Sequence, residues 1–389
     1  MILLSLFKHP FLGRGFRPFF FLGAAYSVTN IFLWALIYSG KISPPSFYFD
    51  PISWHSHEMI YGFVIAIIAG FLLTAVANWT GGAPARQIHL AGLCLLWGIG
   101  RAAVNFDLGM PYWAIMVAEL IFLPVLTISL TIPLLKSWNT RNFIFLSFLT
   151  GLFACDLWFL FAQKLEPLYI AIIIILMMIT LVGGRIIPAF TVGALRQAGL
   201  NLYQTPQTKM DAAALVSLMA VAFSITLFPN SLILFFAALI SSLIHLIRMR
   251  HYHTLKTRHD PMLWVMHLGY FWLIIGLFLI SLTGLDILTM PMIIHALTIG
   301  AIGTMILGMI CRVTLGHTGR NLKASRSTML AFSLIQCAAL IRVFGPILFP
   351  EQKITLVMVS AFLWVICFLI YLVNYSPMLF SKRPDGRET

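Results

Sequence analysis

A chain of 389 residues in which 60% are hydrophobic and 10% charged carries more apolar side chain than a water-soluble domain can bury. Its formal charge of +13 would suit a nucleic-acid binder, but the Lys and Arg fall in alternate loops between long apolar stretches, the pattern of a multi-pass membrane protein. A soluble enzyme and a nucleic-acid partner are excluded on these grounds, and membrane lipids become the solvent.

Stretches of 17 or more apolar residues are long enough to cross the hydrocarbon layer as helices, and twelve are predicted. They run over 19–39, 58–79, 88–105, 112–135, 142–161, 166–187, 212–228, 230–248, 262–283, 291–311, 327–348 and 354–374, a single polytopic domain over 1–389. Twenty of the twenty-five Lys and Arg lie on the side that holds the N-terminus, among them Arg14, Arg17, Arg248, Arg320 and Arg387. By the positive-inside rule both termini face the cytoplasm. No removable signal peptide is expected, because a basic start, an apolar core and a small-residue cleavage site do not follow in order. The five cysteines show no CxxC and read as small buried residues.

An ionisable side chain in a span costs several kcal/mol unless it is paired or hydrated, so each one is a functional candidate. In chain order, the second span opens on Trp54-His55-Ser56-His57-Glu58-Met59. At about 100° per residue His55 and His57 point to nearly opposite sides, while Glu58 shares the face of His55 and is placed to orient an imidazole or pass a proton. Arg101 ends the third span, Glu119 lies two turns into the fourth, and Asp156 is late in the fifth. His295 is one turn into the tenth span and Arg342 late in the eleventh. With the N-terminus inside, these eight residues share the outer third of the membrane, either as ion pairs between spans or as one site. Stripes of small residues below the histidines, Gly62-Ala66-Gly70 in the second span and Ala296-Gly300-Gly303-Gly308 in the tenth, suit close helix packing and also a flat macrocycle. Arg101 and Arg342 are then candidates to hold its carboxylates, or to neutralise Glu119 and Asp156. Toward the opposite face lie His267 and His317, which are candidates for binding a metal or handing protons inward. His245, His251, His253 and His259 are expected to be solvated or to face lipid phosphates.

Five runs in order resemble the NnrS family: Phe16-Arg17-Pro18-Phe19-Phe20, Trp54-His55-Ser56-His57-Glu58-Met59, Ala69-Gly70-Phe71-Leu72-Leu73-Thr74-Ala75 with Asn78-Trp79-Thr80-Gly81, His295-Ala296-Leu297-Thr298, and Arg312-Val313-Thr314-Leu315-Gly316-His317-Thr318-Gly319-Arg320. The resemblance implies a twelve-span bacterial inner-membrane protein that contains heme and copper and is associated with resistance to nitric oxide, often beside denitrification genes. A looser similarity joins it to the catalytic subunits of heme-copper oxidases and nitric oxide reductases, whose bundles also have twelve spans. In those subunits the second span carries one heme ligand and the tenth an HxH that serves two hemes, whereas the second span here carries the HxH and the tenth a single histidine, as if those roles were exchanged. The sixth span lacks the His and Tyr of the oxidase copper site, and Phe228-Pro229-Asn230 lacks its paired histidines, so that copper centre is not expected.

The expectation is therefore an all-α membrane bundle that metabolises nitric oxide toward its outer face. His55, His57 and His295 would supply axial ligands for one bis-histidine and one five-coordinate heme, Glu58 the protons, and membrane quinol the electrons. A non-catalytic heme or metal sensor, a metal-delivery protein and a secondary transporter are the rival expectations.

Overall fold

Inside lipid a backbone amide has no partner but the chain itself, so an apolar sequence of this length satisfies its peptide groups as helices. The computed structural model, which describes residues 8–43 and 48–386, is all-helical; Arg387 lies outside the described residues. Among the described residues twelve helices are long and apolar enough to cross a membrane. They are α1 (Phe16–Tyr38), α2 (Pro51–Thr80), α3 (Gln87–Asn105), α4 (Tyr112–Lys136), α5 (Thr140–Ala162), α6 (Glu166–Gln197), α7 (Thr208–Leu227), α8 (Leu232–Met249), α9 (Pro261–Thr283), α10 (Met290–His317), α11 (Arg326–Leu348) and α12 (Pro350–Phe380). Large apolar side chains such as Leu95, Trp113, Phe161 and Val373 stand exposed on their outer surfaces, as lipid-facing residues do.

The chain divides into two compact units. Unit 1 comprises Met1–Ala171, Ile310–Leu322 and Phe368–Thr389; unit 2 comprises Ile172–Met309 and Lys323–Cys367. Unit 1 is organised by α2, the most enclosed of the twelve helices. Its start is set locally: the Asp50 carboxylate accepts from the amides of Ile52 and Ser53 at 2.9 and 3.1 Å, and Pro51 occupies the first turn. The helix thus begins at Pro51, seven residues before the predicted span at 58, and is already formed at His55. Directly after His57 the winding widens to a π-helix over Glu58–Val64 before α-geometry resumes. A second π-helical stretch, Ala296–Gly303, follows His295 on α10 in unit 2. Such widened turns are rare and recur where a side chain must be re-aimed.

The small-residue stripes are filled by neighbouring side chains. In unit 1 a Cβ at Gly62 would sit 2.3 Å from the Tyr26 ring, and one at Gly70 within 3.0 Å of Phe19 and Phe20. In unit 2 a Cβ at Gly300 would meet the Trp272 ring at 2.5 Å, at Gly303 the Trp364 ring at 2.5 Å, and at Gly308 Val265 at 2.8 Å. Close helix packing, the first of the two readings of these stripes, is what the structure contains.

Candidate metal centre

Five helices of unit 1 send polar side chains to one buried point. His57 and Glu58 come from α2, Arg101 and Asn105 from α3, Glu119 from α4, Asp156 from α5 and Tyr26 from α1. His57 and Glu58 are fully buried, and Arg101, Glu119 and Asp156 are nearly so. Each imidazole nitrogen of His57 faces a carboxylate: Nδ1 lies 2.9 Å from Glu58 Oε1, and Nε2 lies 3.0 Å from Asp156 Oδ1 and 3.8 Å from Glu119 Oε1. The Arg101 guanidinium bridges the site, donating from Nη1 to Glu58 and from Nη2 to Glu119. Tyr26 donates its hydroxyl to Glu58. Asn105 closes the ring, its Nδ2 within 3.0 Å of the Tyr26 hydroxyl and 2.9 Å of Glu58 Oε2, while its Oδ1 accepts from Trp54 Nε1 at 2.9 Å.

The walls are aromatic. The His57 ring stacks on Phe159 at 5.1 Å and lies against Tyr61 and Phe49 at 5.0 and 5.6 Å. These rings hold the imidazole plane and keep water out, which strengthens every charge interaction inside. Gly100 is needed for close approach, since a Cβ there would stand 2.8 Å from Glu119 Oε2. That oxygen has no hydrogen-bond partner among the described residues. Beside it a cavity of about 10 Å³, room for a single water or ion, is lined by Arg101, Glu119, Asp156, Tyr61 and Trp97.

One ligand atom each from His57, Glu119 and Asp156 lies within 4.8 Å of the others. With ligand bonds of about 2.1 Å, a single ion needs its donors within about 4.2 Å, a gap closed by small side-chain rotations. Formal charge points the same way. Three carboxylates against one guanidinium leave two negative charges when the imidazole is neutral, and a divalent cation cancels them. Glu58 accepting from Nδ1–H would fix the tautomer with the Nε2 lone pair toward Asp156 and Glu119, the usual support of a metal-bound histidine.

Of the eight residues expected in one outer layer, the structure gathers His57, Glu58, Arg101, Glu119 and Asp156. His55 and His57 do point apart: the His55 ring stacks on Trp34 at 4.3 Å. Glu58, expected on the face of His55, reaches His57 instead, with its Oε1 2.9 Å from Nδ1. Arg101 pairs with Glu119, one of the two carboxylates expected for it, and with Glu58 rather than Asp156. His295, half-buried on α10, and Arg342, half-buried on α11, belong to unit 2. His267 is buried there with Nε2 on Thr191 at 2.9 Å and Nδ1 on Thr254 at 3.0 Å. His317 sits at the other end of unit 1, with its Nδ1 on Arg14 at 2.9 Å. His245 departs from its expected solvated place: it lies on the inward face of α8, fully buried, with Nδ1 2.7 Å from the Tyr270 hydroxyl. Tyr26 and Asn105 had not been singled out; Asn105 lies one turn past Arg101, where a polar residue near a helix end looks like a loop boundary.

A family model described as NnrS protein matches residues 10–383, nearly the entire chain. The chain belongs to the NnrS family. As an NnrS-family member it is a multi-pass membrane protein tied to the nitric oxide response. No curated protein matches it.

Proposed function

We propose that this NnrS protein metabolises nitric oxide at the buried centre of unit 1, with a divalent metal ion held by His57, Glu119 and Asp156. The observation that carries this reading is the approach of those three donors within 4.8 Å, with Glu58 behind the imidazole. One imidazole and two carboxylates suit a harder or borderline ion such as iron(II), manganese, zinc or copper(II), and are a poor match for copper(I), which prefers sulfur. Such an ion supplies a Lewis-acidic, and if iron or copper a redox-active, position for a diatomic ligand. Nitric oxide is small and uncharged, so it reaches a site enclosed in a membrane bundle through lipid without an aqueous channel.

The chain's own groups divide the remaining work. Arg101 neutralises Glu58 and Glu119, Glu58 orients His57, and Phe159, Tyr61 and Phe49 exclude water. The overall reaction proposed is two nitric oxide and one quinol giving nitrous oxide, water and quinone, so that quinol supplies both electrons and both protons. Glu58, with Tyr26 and Asn105 hydrogen-bonded to it, is the proton-handling group nearest the donors. The centre is read as periplasmic and both termini as cytoplasmic, on the asymmetry of Lys and Arg, and the membrane is read as a bacterial inner membrane on the family resemblance. Heme on the small-residue stripes is not supported by the packing: a macrocycle there would have to displace Tyr26, Phe19 and Phe20, or Trp272 and Trp364.

The test is nitric oxide consumption by the full chain in liposomes with a reduced quinone, wild type beside Asp156→Asn. Turnover by the wild type and a loss of at least tenfold in the variant is expected. Equal rates would remove the centre from the chemistry, and no consumption by the wild type with any donor would leave a sensor. A second reading, favoured by the 3.0 Å contact of His57 with Asp156, is a metal-free centre in which a charged imidazole is stored among carboxylates. Turnover by a protein shown to lack metal would establish it.

A further inference from the structure

At the arginine-rich end of unit 1 two of the sequence runs meet the C-terminal segment, and the metal centre uses none of these residues. Arg17, on the first turn of α1, is fully buried. Its Nη1 donates to the carbonyls of Met378, Leu379 and Ser381 at 3.4, 2.7 and 2.8 Å, capping the end of α12. Its Nε and Nη2, three N–H groups in all, have no hydrogen-bond partner among the described residues. Three more arginines stand around it, close enough for their charges to act on it: Arg14, Arg320 and Arg383. Arg14 holds His317 through Nη1 and leaves Nε without a partner among the described residues. Arg320 reaches the Thr318 carbonyl and the Ser381 hydroxyl at 3.2 and 3.3 Å. Arg383 grips Asp385 with Nε and Nη2 at 2.8 and 2.5 Å and donates to the His317 carbonyl at 2.9 Å.

Among the described residues, the four guanidinium groups have one ion-paired carboxylate, Asp385, which leaves three positive charges close enough to act on one another. A buried charged donor without an acceptor costs upward of about 1–3 kcal/mol, and like charges at close range add to that. The helix end capped by Arg17 offsets part of one charge only. What would satisfy the remaining N–H groups is an oxyanion with several acceptor oxygens, which planar guanidinium groups bind in paired fashion. At the end of the spans the abundant oxyanion is the phosphate of a lipid headgroup.

We infer that Arg14, Arg17, Arg320 and Arg383 form a built site for a phosphate group, supplied by the headgroup of an anionic phospholipid. The lipid would tie the start of α1, the turn after α10 and the end of α12 together through one phosphodiester group. It would leave the metal centre unaltered.

The experiment uses the full-length protein in a neutral, phosphate-free detergent, titrated separately with short-chain phosphatidylglycerol, short-chain phosphatidylcholine and inorganic phosphate. Thermal unfolding and native mass spectrometry are read together. Phosphatidylglycerol is expected to raise the unfolding temperature by several degrees and to remain bound in the mass spectrum, with phosphatidylcholine giving no shift. Arg17→Gln risks misfolding because the residue caps α12, so the decisive variants are the half-buried Arg14→Gln and Arg320→Gln. Each should need at least tenfold more phosphatidylglycerol for the same shift, with Arg86→Gln, on an exposed loop, behaving as wild type. The same shift in the Arg14 and Arg320 variants as in wild type, or from both lipids alike, would overturn the site. A shift from inorganic phosphate without one from phosphatidylglycerol would overturn the lipid source.

Discussion

Glu58 bonds to four side chains of the centre, His57, Arg101, Tyr26 and Asn105. Glu58→Gln keeps an acceptor for the imidazole and removes the charge. If Glu58 orients His57, metal retention against a chelator should weaken by about 10–100-fold while the protein stays folded. If it handles protons, nitric oxide consumption should stop at full metal content. Arg101 tests the electrostatics of the same cluster. Arg101→Ala strands Glu58 and Glu119 in a dry site, an expected loss of about 3–5 kcal/mol in an unfolding titration; an unchanged midpoint would mean that water already reaches the carboxylates. The ionisable members of this centre were legible in the sequence because a charge inside a span is costly and therefore conspicuous. Their partners were not. Helical spacing assigns Glu58 to His55, whereas its side chain reaches the adjacent His57, a contact that spacing alone does not reveal.

At the scale of elements, α2 carries the centre and its start and winding can be tested separately. Burial alone would raise the Asp50 carboxyl, but the Ser53 hydroxyl and the Ser53 and Ile52 amides outweigh it and hold the carboxyl below its ordinary value of 3.8. A depressed carboxyl stabilises the fold above its unfolded-state pKa, and the contribution is lost as the pH falls through the folded one. Asp50→Ala should therefore cost about 1 kcal/mol near neutral pH and nothing in strong acid, measured by unfolding across that range. Gly62→Ala would drive a methyl into the Tyr26 ring and push its hydroxyl off Glu58, whereas Gly98→Ala on α3 meets nothing within 4 Å. The first should destabilise by about 1–3 kcal/mol and lower metal retention, and the second should do neither. The Asp50-Pro51 start signal was present in the sequence, but a hydropathy window begins where side chains become apolar, so His55 and His57 fell at its edge. The π-helical stretch leaves no such mark, since Met59, Ile60, Phe63 and Val64 simply continue the apolar run of the span.

For the molecule as a whole, composition and span length were sufficient to read an all-α bundle of twelve spans, because in lipid helix length and apolarity are nearly the entire constraint. They could not read the division into two units, which depends on which helices pack together. Nor could depth alone separate residues that meet, such as His57 and Asp156, from His295 and Arg342, which span order predicts in the same layer but which belong to the other unit. The measurement that tests the centre most directly is metal content per chain of the purified full-length protein, with X-ray absorption at the metal edge, for wild type and His57→Ala. One ion per chain is expected, with one nitrogen and at least two oxygen neighbours at about 2.0–2.2 Å, and its loss from the variant. A metal-free wild type grown with ample metal, or an ion kept in an unchanged environment after His57→Ala, would contradict it.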